Sequence, residues 1–440
     1  MNQRVAFYTL GCKLNYSETS SISRLFEEKG FRKVDFTDSP DIFVINTCSV
    51  TDNADKKCRK IVKEAKKISP ASFVLILGCY AQLKPKEISE IPGVDAVLGA
   101  AEKFRLFEYL TEFTSSHTPQ VFASPIQDAR TFHSAFSYGD RTRTFLKVQD
   151  GCNYGCAFCT IPLARGKSRS DTISNILLQA QAIAETDVKE VVLTGVNIGD
   201  FGIVDGRRKE RFADLVAALD EVDGIDRIRI SSIEPNLLSN EIIDYVASSK
   251  RFVPHFHVPL QSGSDNILKR MNRRYLTGLY RDRVAHIKAV MPHACIGVDV
   301  ITGFPGETEE EFLTTYELLN GLDISYLHVF TYSERANTKA LALDGVIPQQ
   351  VRQQRSTMLR TLSEKKRRHF YEQHLGKTYQ VLFEVEKNSE DRMFGFTENY
   401  IRIEAKYDPL LVNEIKTVHL TAINDRGHVE IEEPQEVLVH

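Results

Sequence analysis

The sequence predicts an α/β protein in three parts: an N-terminal doubly wound parallel α/β domain, a partial (β/α)6 barrel, and a small C-terminal OB-like β-barrel. Three observations lead there. Over residues 4–98, apolar runs that end at Cys12, Cys48 and Cys79 alternate with stretches of helical spacing. A second strand-and-helix series of six units fills residues 145–332, too few for the roughly 250 residues of a closed eight-unit barrel. From residue 377 the pattern changes to short alternating runs between turn residues, the signature of a small antiparallel barrel.

In the first part, residues 5–10 run into Gly11-Cys12 ahead of a helix over 17–28 that stops at Gly30. Residues 42–46 run into Thr47-Cys48 before a helix over 52–67, and residues 73–77 run into Gly78-Cys79 before a helix starting at Pro85; residues 94–98 form a fourth strand. Strands alternating with helices make right-handed βαβ units, and ligands gather beyond the carboxyl ends of such strands. Cys12, Cys48 and Cys79 all stand there, so they are candidate ligands of one centre. Cys58, in mid-helix, and Cys295, opening a strand, read as packing residues.

Residues 1–114 are therefore expected to be one domain. Residues 115–140, rich in Ser, Thr, Pro and Ala without a period, read as a connection. The barrel with a basic C-terminal helix spans 141–376, and the last domain 377–440. Barrel strands are expected at 145–149, 190–194, 227–231, 255–259, 296–301 and 326–332. Their ends carry Gly or polar residues: Asp150-Gly151-Cys152, Thr194-Gly195-Val196-Asn197, Ser231-Ser232-Ile233-Glu234, Gln261-Ser262-Gly263 and Thr302-Gly303. Strand ends on one rim point to a shared ligand site. The Arg- and Lys-rich stretch 349–374 reads as a solvated helix face.

The stretch Asp150-Gly151-Cys152-Asn153-Tyr154-Gly155-Cys156-Ala157-Phe158-Cys159 holds a C-x3-C-x2-C spacing. On a helix the thiols would share a face, but they would spread over roughly 10 Å of axis, and the glycines argue for a loop. Zinc would ask for a fourth ligand nearby, and no second Cys or His pair follows. Three thiolates suit an iron-sulfur cube with one iron left open for a small molecule.

Composition sets the background. The 440 residues are 42% hydrophobic and 26% charged, with eight cysteines and a formal charge of -3, enough apolar material for more than one core. Cysteines this few and scattered do not make a disulfide scaffold. The absence of a signal-like start, and of any run of eighteen apolar residues, leads to the expectation of a cytoplasmic protein with no membrane partner.

Together, Thr9-Leu10-Gly11-Cys12-Lys13-Leu14-Asn15, Ile45-Asn46-Thr47-Cys48, Gly78-Cys79, the three-cysteine loop and a terminal small barrel resemble the radical S-adenosylmethionine methylthiotransferases. The resemblance covers the whole chain. It implies two 4Fe-4S clusters, one on Cys152, Cys156 and Cys159 that binds S-adenosylmethionine, and an auxiliary one on Cys12, Cys48 and Cys79 that handles sulfur. It also implies a TRAM domain at the C-terminus and an electron donor protein, and the chain is expected to be a monomer. Carried over from the family's motifs, Thr194, Gly195 and Asn197 are expected at the methionine amine. Glu234, Gln261, Ser262 and Gly263 are expected at the ribose or carboxylate, and Phe158 with Asp299 on the adenine side.

Within the family, Lys13-Leu14-Asn15, residues 49–55 and residues 160–166 resemble the branch acting on threonylcarbamoyladenosine in the tRNA anticodon loop; the isopentenyl-adenosine branch usually has Gln-Met-Asn at the first place. That other branch, the branch acting on a ribosomal-protein aspartate, and a non-catalytic RNA-binding metalloprotein are the alternatives. Basic residues suited to RNA phosphates are Lys56, Lys57, Arg59, Lys60, Lys63, Lys66 and Lys67, with Arg165, Lys167 and Arg169; about six contacts would give a log-log salt slope of roughly -4 to -5. The last domain is acidic, through residues that include Glu384, Glu386, Glu433 and Glu436. Its Phe394, Phe396, Asn399 and Tyr400 are either base-stacking or core. Residues 334–338, Glu-Arg-Ala-Asn-Thr, depart from the Pro-Arg-x-Gly-Thr form associated with the family.

Overall fold

The computed structural model describes residues 3–48, 52–114, 118–139 and 142–432. Its first part is a six-stranded parallel sheet in the order Arg32–Lys33, Arg4–Thr9, Ile42–Thr47, Phe73–Gly78, Ala96–Leu98, Gln120–Phe122. Every residue of the two central strands is buried, because helices cover both faces. Alternation divides the side chains between those faces. Phe43, Ile45, Val74 and Ile76 pack with Cys58 and Val62 of helix Asp52–Ile68. Val44, Leu75 and Leu77 pack with Ile22 and Phe26 of helix Lys13–Glu28. Cys58 is the core residue its mid-helix position suggested.

The sheet takes its sixth strand, Gln120–Phe122, from inside the stretch read as a connection. The expectation of a patternless linker over 115–140 is corrected there. Three residues are too short for a readable period, and the pairing partner lies over twenty residues away. Residues 115–117 and 140 lie outside the described residues.

The second part is a partial barrel of six parallel strands in sequence order: Arg143–Lys147, Glu190–Thr194, Arg227–Ile230, His255–His257, Cys295–Thr302, Tyr326–Thr331. Its two halves join through the bridges Ile228 to Phe252 and Ser232 to His257. Parity again sorts the residues. Leu146, Val191, Leu193, Ile228, Ile230, Phe256, Val298, Val300 and Leu327 turn outward into the core beneath the helices. The alternate positions, among them Arg143, Lys147, Glu190, Arg229, His255, His257, Asp299 and His328, turn inward and give the barrel a polar lumen.

Helix Gln349–Glu372 packs on the last strand through Leu359 and Leu362. Its outer Arg360, Lys365, Arg367 and Arg368 form the solvated face expected. Arg352 and Arg355 instead are buried in ion pairs, with Glu334 at 2.6 Å and Glu307 at 2.8 Å.

The third part is a closed five-stranded barrel in the order Thr378–Lys387, Arg392–Thr397, Arg402–Lys406, Val429–Ile431, Ile415–Ile423. It docks under the N-terminal ends of the barrel strands. Arg227 and Arg229 donate to the carbonyls of Gln380 (2.8 Å) and Glu398 (3.2 Å), and Arg143 pairs with Glu384 at 2.8 Å. Tyr400 stacks on His255 at 4.3 Å and on Phe396 at 4.7 Å, and Asn399 donates to the His293 carbonyl at 3.0 Å. Of the four residues weighed as a base-stacking platform, Phe396, Asn399 and Tyr400 are thus committed to this interface, and Phe394 packs between His428 and Arg402. Cys295 is buried in the same cluster. Glu433 and Glu436 lie outside the described residues. Among the described residues, no helix is long and apolar enough to cross a membrane.

Candidate active site between two cysteine triads

The barrel triad sits on a loop that leaves the first strand through the short ladder of Gln149–Asp150 with Arg169–Ser170. Gly151 turns it with φ +68°, and a Cβ there would lie 2.1 Å from the Lys167 carbonyl oxygen, so only glycine fits. Each of the three sulfurs receives one donor: Tyr154 N–H to Cys152 (3.3 Å), Ile161 N–H to Cys159 (3.4 Å), and Arg273 Nη1 to Cys156 (3.2 Å). Donors aimed at sulfur favour the thiolate and tune a bound cluster. Burial by itself acts the other way, pushing the Cys152 thiol up to about 11 and Cys159 to about 12. A cationic iron reverses that balance, since a coordinating thiol is deprotonated outright. Three thiols with three donors fit an iron-sulfur cluster.

The second triad lies at the carboxyl ends of three adjacent strands. Cys12 caps helix Lys13–Glu28, and a Cβ on Gly11 (φ +121°) would lie 2.7 Å from Cys48 Cβ, so glycine lets those two loops meet. Asn15 ties them together by donating to the carbonyls of Leu10 (2.8 Å) and Thr47 (3.1 Å). Cys79 opens the short helix Cys79–Leu83, which packs against helix Ile161–Arg165 directly after Cys159. The helix that follows Cys79 and the helix that follows Cys159 are thereby brought side by side where the two domains meet. A cavity of 190 Å³ opens there, lined by Leu83, Lys84, Thr160 and residues 334–337.

A buried ion network holds that boundary. Glu18, of the N-terminal domain, accepts from Lys103 (2.7 Å), Lys147 (3.1 Å) and both Nη atoms of Arg165 (3.0 and 3.1 Å). Asp150 accepts from Arg165 (3.1 Å) and Arg169 (2.9 Å), and pairs with Lys147 at 2.9 Å. Arg165 also donates to Asn15 at 2.6 Å. Burial would raise the Glu18 carboxyl, but Arg165, Lys103 and Lys147 outweigh it and hold it well below the usual carboxylate range. Arg165 and Arg169, expected on an RNA-binding surface, are instead buried in this network; Lys167 between them remains exposed.

Comparisons with known proteins agree with this architecture. Residues 4–99 match the family described as Uncharacterized protein family UPF0004, and residues 146–319 match the Radical SAM superfamily. A Threonylcarbamoyladenosine tRNA methylthiotransferase MtaB of Bacillus subtilis is 38% identical over 94% of this chain and 93% of its own. The chain belongs to the radical S-adenosylmethionine methylthiotransferases. Its MtaB-type character is shared with a protein of that name from Aquifex aeolicus, 39% identical over 91% of this chain and 96% of its own. A tRNA-2-methylthio-N(6)-dimethylallyladenosine synthase of Desulfitobacterium hafniense is 32% identical over 90% of each chain. In fold, a radical S-adenosylmethionine methyltransferase, TsrM, from Kitasatospora setae matches 75% of each chain with a TM-score of 0.55 at 15% identity.

The methylthiotransferase uses S-adenosylmethionine and iron-sulfur clusters, and its expected cofactor residues divide into two groups. Thr194, Gly195, Asn197 and Glu234 gather on the rim beside the barrel triad. Glu234 pairs with Arg273, the donor to Cys156. Both amide atoms of Asn197 are buried without a hydrogen-bond partner among the described residues, a costly state that a bound polar ligand relieves. Asn197→Ala is accordingly expected to weaken S-adenosylmethionine binding about 10-fold without loss of thermal stability. Equilibrium binding measures this, and a change under twofold would remove Asn197 from the site.

Phe158 stands edge-on to Phe304 at 6.4 Å on the same rim, and Gln261 reaches it on a left-handed backbone, φ 69°. Ser262 and Gly263 do not reach it. Ser262 lies 3.3 Å from the Thr315 hydroxyl and Gly263 N–H donates to that hydroxyl at 3.0 Å, while a Cβ on Gly263 would lie 2.6 Å from Thr315 Cα. Their expected cofactor contact is corrected to a packing role against helix Glu309–Gly321. Asp299 lies deeper in the lumen, between His257 (2.9 Å) and His328 (3.3 Å).

Sequence reasoning missed the residue that ties the rim together. Gln149 Oε1 accepts from the N–H groups of Val196 (3.0 Å) and Asn197 (2.8 Å), and its Nε2 donates to the carbonyls of Asp150 (2.9 Å) and Gly151 (2.7 Å). A buried Gln at a strand end, one residue before the motif, was the available signal. Residues 334–338 are also resolved. Asn337 adopts φ 64° where the family form has Gly, and Asn is the non-glycine residue that tolerates that region best.

Proposed function

We propose that the protein adds a methylthio group to C2 of threonylcarbamoyladenosine beside the tRNA anticodon. Cys152, Cys156 and Cys159 hold the 4Fe-4S cluster that binds S-adenosylmethionine, and Cys12, Cys48 and Cys79 hold the auxiliary 4Fe-4S cluster. What carries this reading is the pair of cysteine triads, on domains joined through helices Cys79–Leu83 and Ile161–Arg165, in a chain 38% identical to a named threonylcarbamoyladenosine enzyme. When bound, the cofactors supply the one-electron chemistry that an unactivated aromatic C–H requires. The protein's own residues position them: Arg273 at Cys156 and Glu234, Gln149 at the Thr194–Asn197 turn, and the Glu18 network between the triads. An external protein supplies electrons, and the enzyme works as a monomer in the cytoplasm.

The tRNA phosphates are met by helix Asp52–Ile68, whose Lys56, Lys57, Lys60, Lys63 and Lys67 are exposed. Lys66 turns inward to Asp95 at 3.1 Å and Arg59 pairs with Glu87 at 2.7 Å. About five contacts give an expected log-log slope of affinity against salt of roughly -3.5 to -4.5. A slope near zero in a filter-binding titration would count against this face.

Nucleoside analysis of tRNA from cells lacking the chain tests the function. Threonylcarbamoyladenosine should accumulate and its 2-methylthio derivative disappear. Persistence of the derivative would overturn the proposal.

A further inference from the structure

The last strand of the partial barrel, Tyr326–Thr331, pairs on one side only among the described residues, so the barrel stays open beside it. Its alternate residues divide between two faces. Leu327 and Val329 pack into the core beneath the helices, and the Thr331 hydroxyl lies 2.7 Å from that of Ser356 on helix Gln349–Glu372. His328 and Phe330 therefore turn to the lumen. Strand register sets His328 beside Asp299 and Phe330 beside Ile301. Ile301 packs with Ala157, the residue after Cys156, and Phe158 packs against the same cluster. The row that holds Phe330 thus reaches the loop that carries the barrel triad.

Phe330 is 46% exposed, and it is the one exposed phenylalanine among the described residues. The other rings near it are taken: Tyr332 stands against Phe304 at 5.5 Å, and Phe304 against Phe158 at 6.4 Å. Phe330 has no ring partner among the described residues, and a flat apolar ring at the mouth of a site gains by being covered. Two residues below it on the same face, Asp299 takes His257 Nε2 at 2.9 Å and His328 Nδ1 at 3.3 Å. One carboxylate thereby fixes both imidazoles. Their other ring nitrogens, His257 Nδ1 and His328 Nε2, have no partner among the described residues and can each give or take a hydrogen bond. A free ring face beside two polar nitrogens suits a flat heteroaromatic ligand.

Chemistry on a base takes that base out of its stack, and the enzyme replaces the lost stacking with its own side chains. Two kinds of relative are named for adenosines with different substituents, threonylcarbamoyl and dimethylallyl. A seat for the purine they share need not depend on the substituent. We infer that Phe330 is the stacking platform for the unstacked target adenine, and that His257 and His328, held by Asp299, hydrogen-bond its polar edge. The inference rests on the proposed function in taking a tRNA base as substrate, and adds to it the residues that seat the base.

The test measures, by fluorescence anisotropy, how anticodon stem-loop RNAs bind the oxidised, cluster-loaded enzyme. One RNA carries threonylcarbamoyladenosine at the target position and the other an abasic residue. Wild type should bind the base-bearing RNA about 10- to 100-fold more tightly, the range of one base–aromatic stack. In Phe330→Ala that ratio should fall toward one with the thermal midpoint unchanged, and Phe330→Tyr, which keeps the ring face, should retain it. His328→Ala should lower the ratio about threefold, as for one lost hydrogen bond. Equal binding of the two RNAs by wild type would overturn the inference. So would a Phe330→Ala variant that keeps the wild-type ratio, even while binding both RNAs more weakly; an unchanged ratio in His328→Ala would overturn the hydrogen-bonding part. If the 2-methylthio derivative persists in cells lacking the chain while the Phe330-dependent ratio holds, the proposed function fails and the seat for the base stands.

Discussion

Cys12→Ala is expected to abolish methylthio transfer while leaving reductive cleavage of S-adenosylmethionine to deoxyadenosine. The two triads stand on separate supports. Cys152, Cys156 and Cys159 take their donors from Tyr154, Ile161 and Arg273, none of which touches Cys12. Cys12 is exposed at the tip of its helix, so removing its sulfur opens no cavity and costs little stability. The loss therefore falls on the auxiliary site. Product analysis separates the outcomes: deoxyadenosine without methylthio nucleoside is expected, and full methylthio product would refute the division of labour. The matching Cys156→Ala variant should lose both products.

Glu18→Gln should destabilise the junction of the first two domains by about 3–5 kcal/mol, the cost typical of breaking a buried ion pair by removing one partner. Two carboxylates, Glu18 and Asp150, face four cations, Lys103, Lys147, Arg165 and Arg169. Losing one leaves one against four in a site where Glu18 and Lys147 are wholly buried. Denaturant unfolding followed by limited proteolysis at the junction measures the effect, and a midpoint within error of wild type would overturn it. Pairing the change with Lys103→Met should recover part of the loss, since it removes a cation left unmatched. The pH dependence has the same origin. The Glu18 carboxyl is held low in the folded protein, so its contribution is complete above the unfolded value of about 4.3. It is lost as pH falls below that value through the folded one.

Local spacing made the cysteines legible. C-x3-C-x2-C lies within eight residues, and Cys12, Cys48 and Cys79 each follow a strand whose apolar run can be seen. The Glu18 network was illegible for the opposite reason: its hydrogen bonds join residues 85, 129 and 147 positions apart, and nothing local distinguishes a buried Lys103 or Arg165 from a surface one. In sequence, Arg165 and Arg169 accordingly look like RNA contacts. The same limit leaves Phe396, Asn399 and Tyr400 open in sequence between base stacking and core, because their aromatic and amide character suits a base and a domain interface equally. Ser262 and Gly263 share a strand-end motif with Gln261, but only the fold shows that the chain turns them toward Thr315.

The sequence by itself determined the three-part α/β architecture, the two cysteine triads and the family, because period, spacing and motif are carried by neighbours along the chain. Tertiary structure alone decided that the helix after Cys79 packs against the helix after Cys159, that Gln149 and Arg273 serve the barrel loop, and that Glu18 ties the first two domains together. Those facts depend on charges and contacts between distant segments, which burial turns from surface features into structural and functional ones.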